Sequence, residues 1–497
     1  MINSLNLAQF IPPGHVDHPG TPIQWIGAGT IRIVHLFAEN NSLEEDVLKH
    51  PEFYLTTINY VLLLITIISL WLIGSLLSNF IAIEYSIFIQ LSYFTSLESL
   101  HSITRVTPEP LLAILSMWMI YLILRLYYKD DEGIYKNFYI IGFALIAGTG
   151  ISTKITFAPF ALIPLFILSN RVNKIYYCIL SGLIGLTLSI PVIFSRNYFI
   201  NWIKGLTTRS GSYGSGPSEV INTHTFFEHL DLIIKNEISL TISYSLLTLT
   251  LLAIFFSFFA KKKDNRYPNR LLVKILSGLW ISCTLLILLV AKHYQSRYLL
   301  PSFILSNCIL SFVFLFWNNK IQQLSYKNTY YKTLLFLFSI GFIGNAYFQF
   351  SSLYNRLQSD KIAQLASQVY LKGSPYNQLP VVYYYRASSP EFALQFALSY
   401  SGVAKMRYHT SLSKLYTNAY SYNIFTGVYY HWLDKVDILE ILSQQEKVLF
   451  QGSPTDNYLP IPSSGQEKSN VPTPFLKVLH NSKIESVYIA DSLVIKK

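Results

Sequence analysis

The segment "AKHYQSRYLLP", residues 291–301, places an ammonium, an imidazole and a guanidinium close together, at Lys292, His293 and Arg297, with Tyr298 next to them. The segment is a short connection between two apolar stretches. A forked guanidinium beside an ammonium and an imidazole is suited to the oxygens of a phosphate or diphosphate. We therefore predict that this segment binds a phosphate-bearing headgroup at a membrane interface.

Two further cations lie next to apolar stretches. Arg105 in "LHSITRVTPEPLLA" directly precedes one, and Lys154 in "GISTKIT" lies between two short ones. Both are predicted to add to the phosphate site, although such residues also snorkel to the phosphates of ordinary lipids. Glu109 follows Pro108 at a helix start. It is either a substrate contact or a partner of the helix dipole.

An acid that could accept a proton lies near the start of the chain, in "GHVDHPGTPIQW". Asp17 and His18 precede a turn rich in proline and glycine, and "IQWIGAGTIRIVHLF" then offers an apolar face at helical spacing. A carboxylate held in this way can accept the proton of an attacking hydroxyl within hydrogen-bond distance. The alternative is that Asp17 caps the turn and His18 fills space.

The composition indicates that these groups lie at a membrane. Of the 497 residues, 51% are hydrophobic and 13% are charged, whereas soluble proteins have about 25% charged residues. A span needs about 20 mostly apolar residues. We predict about ten spans, with the two short ones around "AGTGISTK" broken or re-entrant: 55–79, 81–98, 108–128, 137–151, 155–169, 175–195, 238–260, 273–291, 299–317 and 333–349.

Alternate loops fall into two sets. One set is short and rich in lysine, as in "AKKKDNRYPNRLLVK", which is typical of the cytoplasmic side. The other set holds residues 1–54 with an interfacial helix, the long loop 196–237 and residues 350–497, and is predicted to lie outside. From residue 350 strand-like and helix-like runs alternate, which indicates a small extracytoplasmic α/β domain beyond the membrane core 55–349.

The sequence lacks the motifs of several functional classes. The net charge of +11 is spread among short loops without a basic arm, so anionic lipid explains it better than nucleic acid. No nucleotide-binding glycine loop, H-E-x-x-H motif or serine-hydrolase elbow occurs. The three cysteines, Cys178, Cys283 and Cys308, lie in apolar runs without metal-type spacing. Their predicted role is packing.

Taken together, "DHPGTPIQ", "RVTPEPLLA", "GISTKITFAPFALIPLF" and "KHYQSRYLLP" resemble landmarks of GT-C type glycosyltransferases that use lipid-phosphate sugars. That group includes protein O-mannosyltransferases and lipid A aminoarabinose transferases. The resemblance covers about residues 11–320 and does not extend to the C-terminal domain.

The resemblance implies a polytopic α-helical membrane fold, a polyprenyl-phosphate sugar donor, and transfer with inversion to a glycan, lipid or protein acceptor outside a bacterial inner membrane. It assigns the base to Asp17 and the phosphate contacts to Arg297, Lys292 and His293, with Arg105 and Lys154 as further candidates. His18, Tyr298 and Glu109 are the predicted substrate contacts. No cofactor is expected, although a role for a divalent cation stays open.

The chain departs from this group at its start. Members of the group begin with a transmembrane helix whose outer end carries an acid, and this chain starts after that point. We expect that a first helix is missing, so the usual acid lies outside these residues or Asp17 carries the role alone.

Two other functional classes fit part of the pattern. A flippase or exporter of lipid-linked glycans would also need cations near lipid phosphates, but transporters place charges near the bilayer midplane. A non-catalytic receptor would bind through its C-terminal domain. The near absence of ionisable residues within the spans favours the enzyme.

Overall fold

The computed structural model describes residues 1–17, 20–38, 42–94, 96–129, 132–211, 216–259, 269–322, 329–372, 376, 378–437, 440–441, 447–453, 476–481 and 485–491. The chain forms two compact units. The membrane unit consists of Val16–Thr30 and Thr56–Leu353, and the sheet unit consists of Met1–His15, Ile31–Leu55 and Tyr354–Lys497. The domain boundaries predicted at residues 54 and 349 separate segments by the side of the membrane on which we expect them to lie. They stay a prediction.

The first part of the chain is helical, and the helices differ widely in length. Their bounds are α1 (Ile2–Ala8), α2 (Thr21–His35), α3 (Leu43–Lys49), α4 (Pro51–Ser78), α5 (Ile83–Leu91), α6 (Leu97–Ile103), α7 (Glu109–Lys129), α8 (Glu132–Thr153) and α9 (Ile163–Ile167). Helix α2 forms where the sequence predicts an amphipathic helix.

The helices continue to the start of the sheet and beyond it. Their bounds are α10 (Arg171–Leu188), α11 (Arg196–Thr208), α12 (Thr223–Asn236), α13 (Ile238–Phe259), α14 (Arg270–Lys292), α15 (Leu300–Gln322), α16 (Thr329–Lys372), α17 (Pro390–Leu398) and α18 (Lys405–Leu415). Cys283 and Cys308 are buried within α14 and α15, as expected of packing residues, whereas Cys178 on α10 is exposed.

Within the described residues, five helices are long and apolar enough to cross a membrane: Pro51–Ser78, Glu109–Lys129, Ile238–Ser257, Arg270–Lys292 and Ser296–Trp317. A sixth candidate is the pair Arg171–Leu188 and Ile190–Thr208, which is bent by 65°. The polytopic helical membrane fold is therefore confirmed. By length and composition, the described residues thus support five or six of the predicted spans.

Three of the predicted spans are not single helices, and one of them, 175–195, continues beyond the end of α10 as a 3-10 helix at Ile190–Ser195. The stretch 81–98 contains α5, a 3-10 turn at Ser92–Phe94 and the start of α6. The Ser92 hydroxyl donates to the Ile89 carbonyl at 2.7 Å, a local bond that competes with helix propagation. The stretch 155–169 consists of two 3-10 turns and α9, because Pro159 and Pro164 interrupt the helical hydrogen bonds. The expected break is present here, whereas α8 runs unbroken to Thr153.

The C-terminal α/β domain predicted from the sequence is also present. Its strands run in the order β4-β3-β2-β1-β5-β7-β6, with β1 parallel to β2 and β5 and the other pairs antiparallel. The strands are β1 (Val381–Tyr383), β2 (Ala419–Asn423), β3 (Val428–His431), β4 (Asp434–Val436), β5 (Lys447–Gly452), β6 (Leu476–Asn481) and β7 (Ser486–Asp491).

Helices α17 and α18 connect the parallel strands β1 and β2. Helix α17 begins with a side-chain cap, since the Ser389 hydroxyl accepts a bond from the Phe392 amide at 3.0 Å and Pro390 occupies the first turn. The core includes the fully buried side chains of Val382, Val448 and Phe450.

Candidate functional site

The segment that joins α14 to α15 holds most of the predicted phosphate contacts. Helix α14 ends at Lys292, a 3-10 turn covers Ser296–Leu299, and α15 begins at Leu300. The apolar faces of α14 and α15 are buried in the membrane unit. The polar residues between them therefore lie at the end of two spans.

A cavity of about 240 Å³ opens beside this segment. Its polar side is formed by Lys292, His293 and Tyr298, three of the residues that the sequence singled out. Most of the remaining wall is apolar and comes from three other parts of the membrane unit: Ile155, Ala158, Ile203, Leu206, Leu289 and Val290. The cavity thus combines an apolar wall with a polar end that carries an ammonium group.

Lys292 is oriented by the last turn of α11. Its ammonium donates to the carbonyl oxygens of Leu206 at 2.5 Å and of Thr207 at 3.1 Å. The last carbonyls of a helix have no partner within the helix and carry partial negative charge, so they bind a cation well. The side chain is half-buried and lines the cavity.

The surroundings of His293 favour the neutral form of its imidazole. Burial lowers the pKa of its imidazole below the usual 6.5, and the positive charge of Lys292 lowers the pKa further. The residue therefore contributes hydrogen bonding to the cavity and does not add a full positive charge. The sequence alone led us to group it with the cations.

Tyr298 lies between two further predicted cations. The Lys154 ammonium is 4.3 Å from the centre of the Tyr298 ring, and the Arg297 guanidinium carbon is 5.5 Å from it. Both distances are within the range of cation–π attraction. The structure therefore brings Lys154 and Arg297 to the tyrosine that lines the cavity.

Lys154 also forms a buried ion pair. Its ammonium is 2.6 Å from the Glu109 carboxylate, and both residues are 3% exposed. Glu109 thus does more than interact with its helix dipole, since it neutralises a buried lysine that directly follows α8. A phosphate that contacts Lys154 would compete with this carboxylate.

Asp17 lies elsewhere in the membrane unit, at the start of α11. The Tyr198 hydroxyl donates to its carboxylate at 3.5 Å, whereas Lys292 contacts the end of the same helix. At about 1.5 Å per residue, the α11 backbone rises about 12 Å between Tyr198 and Leu206. A substrate that reaches both Asp17 and Lys292 must therefore extend along α11. His18 lies outside the described residues.

Arg105 is exposed in the turn between α6 and α7. Its backbone amide donates to the Ser102 carbonyl at 3.2 Å, which places the residue in the turn that ends α6. It is not among the residues that line the cavity.

A half-buried acid beside the α14–α15 segment was missed by sequence reasoning. Glu237, directly before α13, accepts hydrogen bonds from the Ser296 hydroxyl and, at 3.4 Å, from the Tyr294 hydroxyl. Burial raises the pKa of Glu237, and the nearby charge of Glu98 raises it further. The sequence signal was a lone acid at the start of an apolar span, which resembles an ordinary span boundary.

Within the described ranges, no group of three or more histidine, cysteine, aspartate or glutamate residues could hold a metal ion. The site as described consists of an apolar cavity, cations at one end and carboxylates around it.

No protein-family model and no curated protein matches the chain. Two matching solved structures are ArnT from Cupriavidus metallidurans, in the apo state with a TM-score of 0.49 and bound to undecaprenyl phosphate with a TM-score of 0.45. Each is 12% identical and covers 96% of this chain and 88% of its own. ArnT is a lipid A aminoarabinose transferase, a group that the motifs resemble. These low values carry no activity or residue role over to this chain.

Proposed function

We propose that the chain is a membrane glycosyltransferase that moves a sugar from a polyprenyl-phosphate donor to an acceptor hydroxyl. The observation that supports this best is the cavity beside α14, in which an apolar wall meets Lys292 and His293. A polyprenyl phosphate has the matching chemistry, since an apolar chain is joined to an anionic headgroup. Arg297, five positions after Lys292, contacts the ring of Tyr298, which lines the cavity, and supplies a second charge near the headgroup.

In the proposed reaction, the bond between the sugar's anomeric carbon and the phosphate oxygen breaks. The acceptor oxygen forms a new bond to that carbon from the opposite face, which inverts its configuration. The lipid phosphate leaves with the electron pair of the broken bond, and the charges of Lys292 and Arg297 stabilise it. The neutral imidazole of His293 donates a hydrogen bond to the same phosphate.

Asp17 is the proposed general base. Its carboxylate accepts the proton of the acceptor hydroxyl as the new bond forms. The Tyr198 hydroxyl holds the carboxylate at the start of α11. Because the acceptor attacks the carbon that carries the phosphate, the proposal requires the acceptor hydroxyl to lie between that carbon and Asp17.

We place the reaction at the outer face of a bacterial inner membrane, because loops rich in lysine mark the opposite side. The acceptor is a glycan, a lipid or a protein that reaches this face.

The experiment uses the full-length chain in nanodiscs with a radiolabelled polyprenyl-phosphate sugar and measures release of the sugar from the lipid. Arg297→Ala and Asp17→Asn are each expected to lower the rate roughly 100-fold, since each removes stabilisation of charge that develops in the transition state. Arg209→Ala and Lys204→Ala are matched controls, because both side chains are exposed on or beside α11. Their rates should equal that of the wild type.

Unchanged sugar release in both Asp17→Asn and Arg297→Ala would refute the site assignment. A flippase of lipid-linked glycans would instead move labelled donor across the bilayer without breaking its phosphate bond. Recovery of intact donor in the opposite leaflet would therefore reject the glycosyltransferase assignment in favour of a transporter.

A further inference from the structure

The residues of the segment that joins α14 to α15 face two different sides. Four of them line the cavity: Lys292, His293, Gln295 and Tyr298. The hydroxyls of Tyr294 and Ser296 instead donate to the carboxylate of Glu237, which is not among the described residues that line the cavity. Gln295, between the two hydroxyl residues, has an extended backbone with φ −146° and ψ 121°. Successive side chains of an extended backbone point to opposite sides, so the alternation follows from the backbone.

Glu237 itself is fixed by the backbone of two helices of the membrane unit. Its amide donates to the Ile233 carbonyl near the end of α12 at 3.0 Å, and its carbonyl accepts the Thr241 amide near the start of α13 at 2.9 Å. The Ile233 side chain is buried. The Glu237 carboxylate is therefore anchored independently of the segment that it contacts.

The contact with Ser296 acts at the start of the 3-10 turn that carries Arg297. Ser296 is the first residue of this turn and Arg297 is the second. Among the described residues, Gln295 makes no side-chain cap bond to the turn, and the Ser296 hydroxyl is bonded to Glu237 instead. Hydrogen bonds to a carboxylate are stronger than those between neutral groups. The bond thus fixes the point at which the Arg297 side chain leaves the backbone.

His229 on α12 holds the other end of the same segment. Its Nδ1 atom donates to the Ala291 carbonyl in the last turn of α14 at 2.8 Å. Its ring also packs against the Tyr294 ring, with 5.9 Å between the centroids. The corner between α12 and α13 therefore contacts the segment at residues 291, 294 and 296.

We propose that Glu237 is a positioning residue for the phosphate site and that it fixes which residues of the segment 292–298 face the cavity. The proposal rests on the proposed phosphate-binding role of Lys292 and Arg297. A shift of an extended backbone by one position exchanges the two sides. Residues 294 and 296 would then replace residues 293 and 295 at the cavity. The bonds from Tyr294 and Ser296 to Glu237 oppose this shift.

The charge of Glu237, acting by itself, has the opposite effect on an anionic ligand. A carboxylate near the cavity repels a phosphate, so its removal would strengthen binding. Positioning requires that the removal of the same carboxylate weakens binding, because the segment loses its register. The sign of the change in affinity therefore separates the two roles.

The test is a titration of the full-length chain in nanodiscs with a short-chain polyprenyl monophosphate. Glu237→Ala is expected to weaken binding roughly 10-fold, because two hydrogen bonds to the carboxylate are lost. Glu237→Gln should bind within about threefold of the wild type, because its amide oxygen accepts one hydroxyl and its amide nitrogen donates to the other. Unchanged or tighter binding by Glu237→Ala would overturn the proposal. So would equal weakening in the two variants.

A second variant removes the hydroxyls and keeps the acid. Tyr294→Phe combined with Ser296→Ala should weaken binding about as much as Glu237→Ala. Adding Glu237→Ala to it should have little further effect, because the groups through which Glu237 acts are already absent. A full additional loss would show that Glu237 acts by another route and would reject the proposal.

Thr250→Val is the matched control for general loosening of the membrane unit. Thr250 is buried further along α13, and its hydroxyl accepts a hydrogen bond from the Trp317 indole at 3.0 Å. Loss of this bond should lower the unfolding temperature and leave the affinity for polyprenyl phosphate unchanged. If Thr250→Val weakens binding as much as Glu237→Ala, the effect of Glu237 is general and the positioning role is excluded.

The proposed function can fail separately, because this titration requires no sugar transfer. A wild type that binds polyprenyl phosphate but releases no sugar from the donor would reject the glycosyltransferase, and the variants would still decide the role of Glu237. A wild type that does not bind polyprenyl phosphate would reject both proposals.

Discussion

Lys154 and Lys292 look alike in the sequence but differ in their surroundings. Lys292 is the last residue of an apolar helix of the membrane unit and Lys154 directly follows another, and both were predicted to bind phosphate. Lys154 is 3% exposed and pairs with a carboxylate at 2.6 Å, whereas Lys292 is half-buried, donates to helix carbonyls and lines a cavity. The comparison shows that the partner and the burial of a cation decide whether it stabilises the fold or remains available to a ligand.

The largest expected effect comes from breaking the buried pair. Lys154→Met leaves the Glu109 carboxylate buried without its counter-charge, so we expect a loss of about 3–5 kcal/mol in the free energy of unfolding. The measurement is thermal unfolding of the detergent-solubilised protein. The double variant Lys154→Met with Glu109→Leu should recover most of this loss, because it removes both charges. Equal stability of the single and double variants would show that the pair is not a structural unit.

Lys292→Ala tests the other side of the comparison. We expect binding of a short-chain polyprenyl phosphate to weaken about 10- to 100-fold, since a charge-assisted contact to the phosphate is lost. Thermal stability should change much less than in Lys154→Met. The measurement is a binding titration of the reconstituted protein, with Lys204→Ala as control. A Lys292→Ala protein that binds the lipid phosphate normally but unfolds early would reverse the assignment of the two lysines.

The smallest effect concerns His293. Burial and the charge of Lys292 lower the pKa of this imidazole in the folded state, so the unfolded state binds the proton more tightly. The stability that depends on neutral His293 is therefore full above the unfolded pKa of about 6.5 and declines as pH falls below it. His293→Gln should flatten the decrease in unfolding temperature between pH 7 and pH 5. The same decrease in both proteins would exclude His293 as its source.

The sequence predicted the membrane fold, the C-terminal α/β domain and the cluster around Arg297, because these depend on local composition and on residues adjacent in the chain. It could not pair Lys154 with Glu109, which lie 45 positions apart and meet only when α7 and α8 pack. Glu237 was missed for the same reason, since its partners Tyr294 and Ser296 are far along the chain. The break in 81–98 depends on local hydrogen bonds that hydropathy does not describe.

The distribution of the three thiols has a practical consequence. Two are enclosed by α14 and α15, and only Cys178 on α10 is exposed. A membrane-permeable maleimide dye should therefore attach to the native chain at one position, ten residues before the end of α10. Because the bend of 65° follows that end, a fluorophore at Cys178 would report changes in the bend without any engineered cysteine.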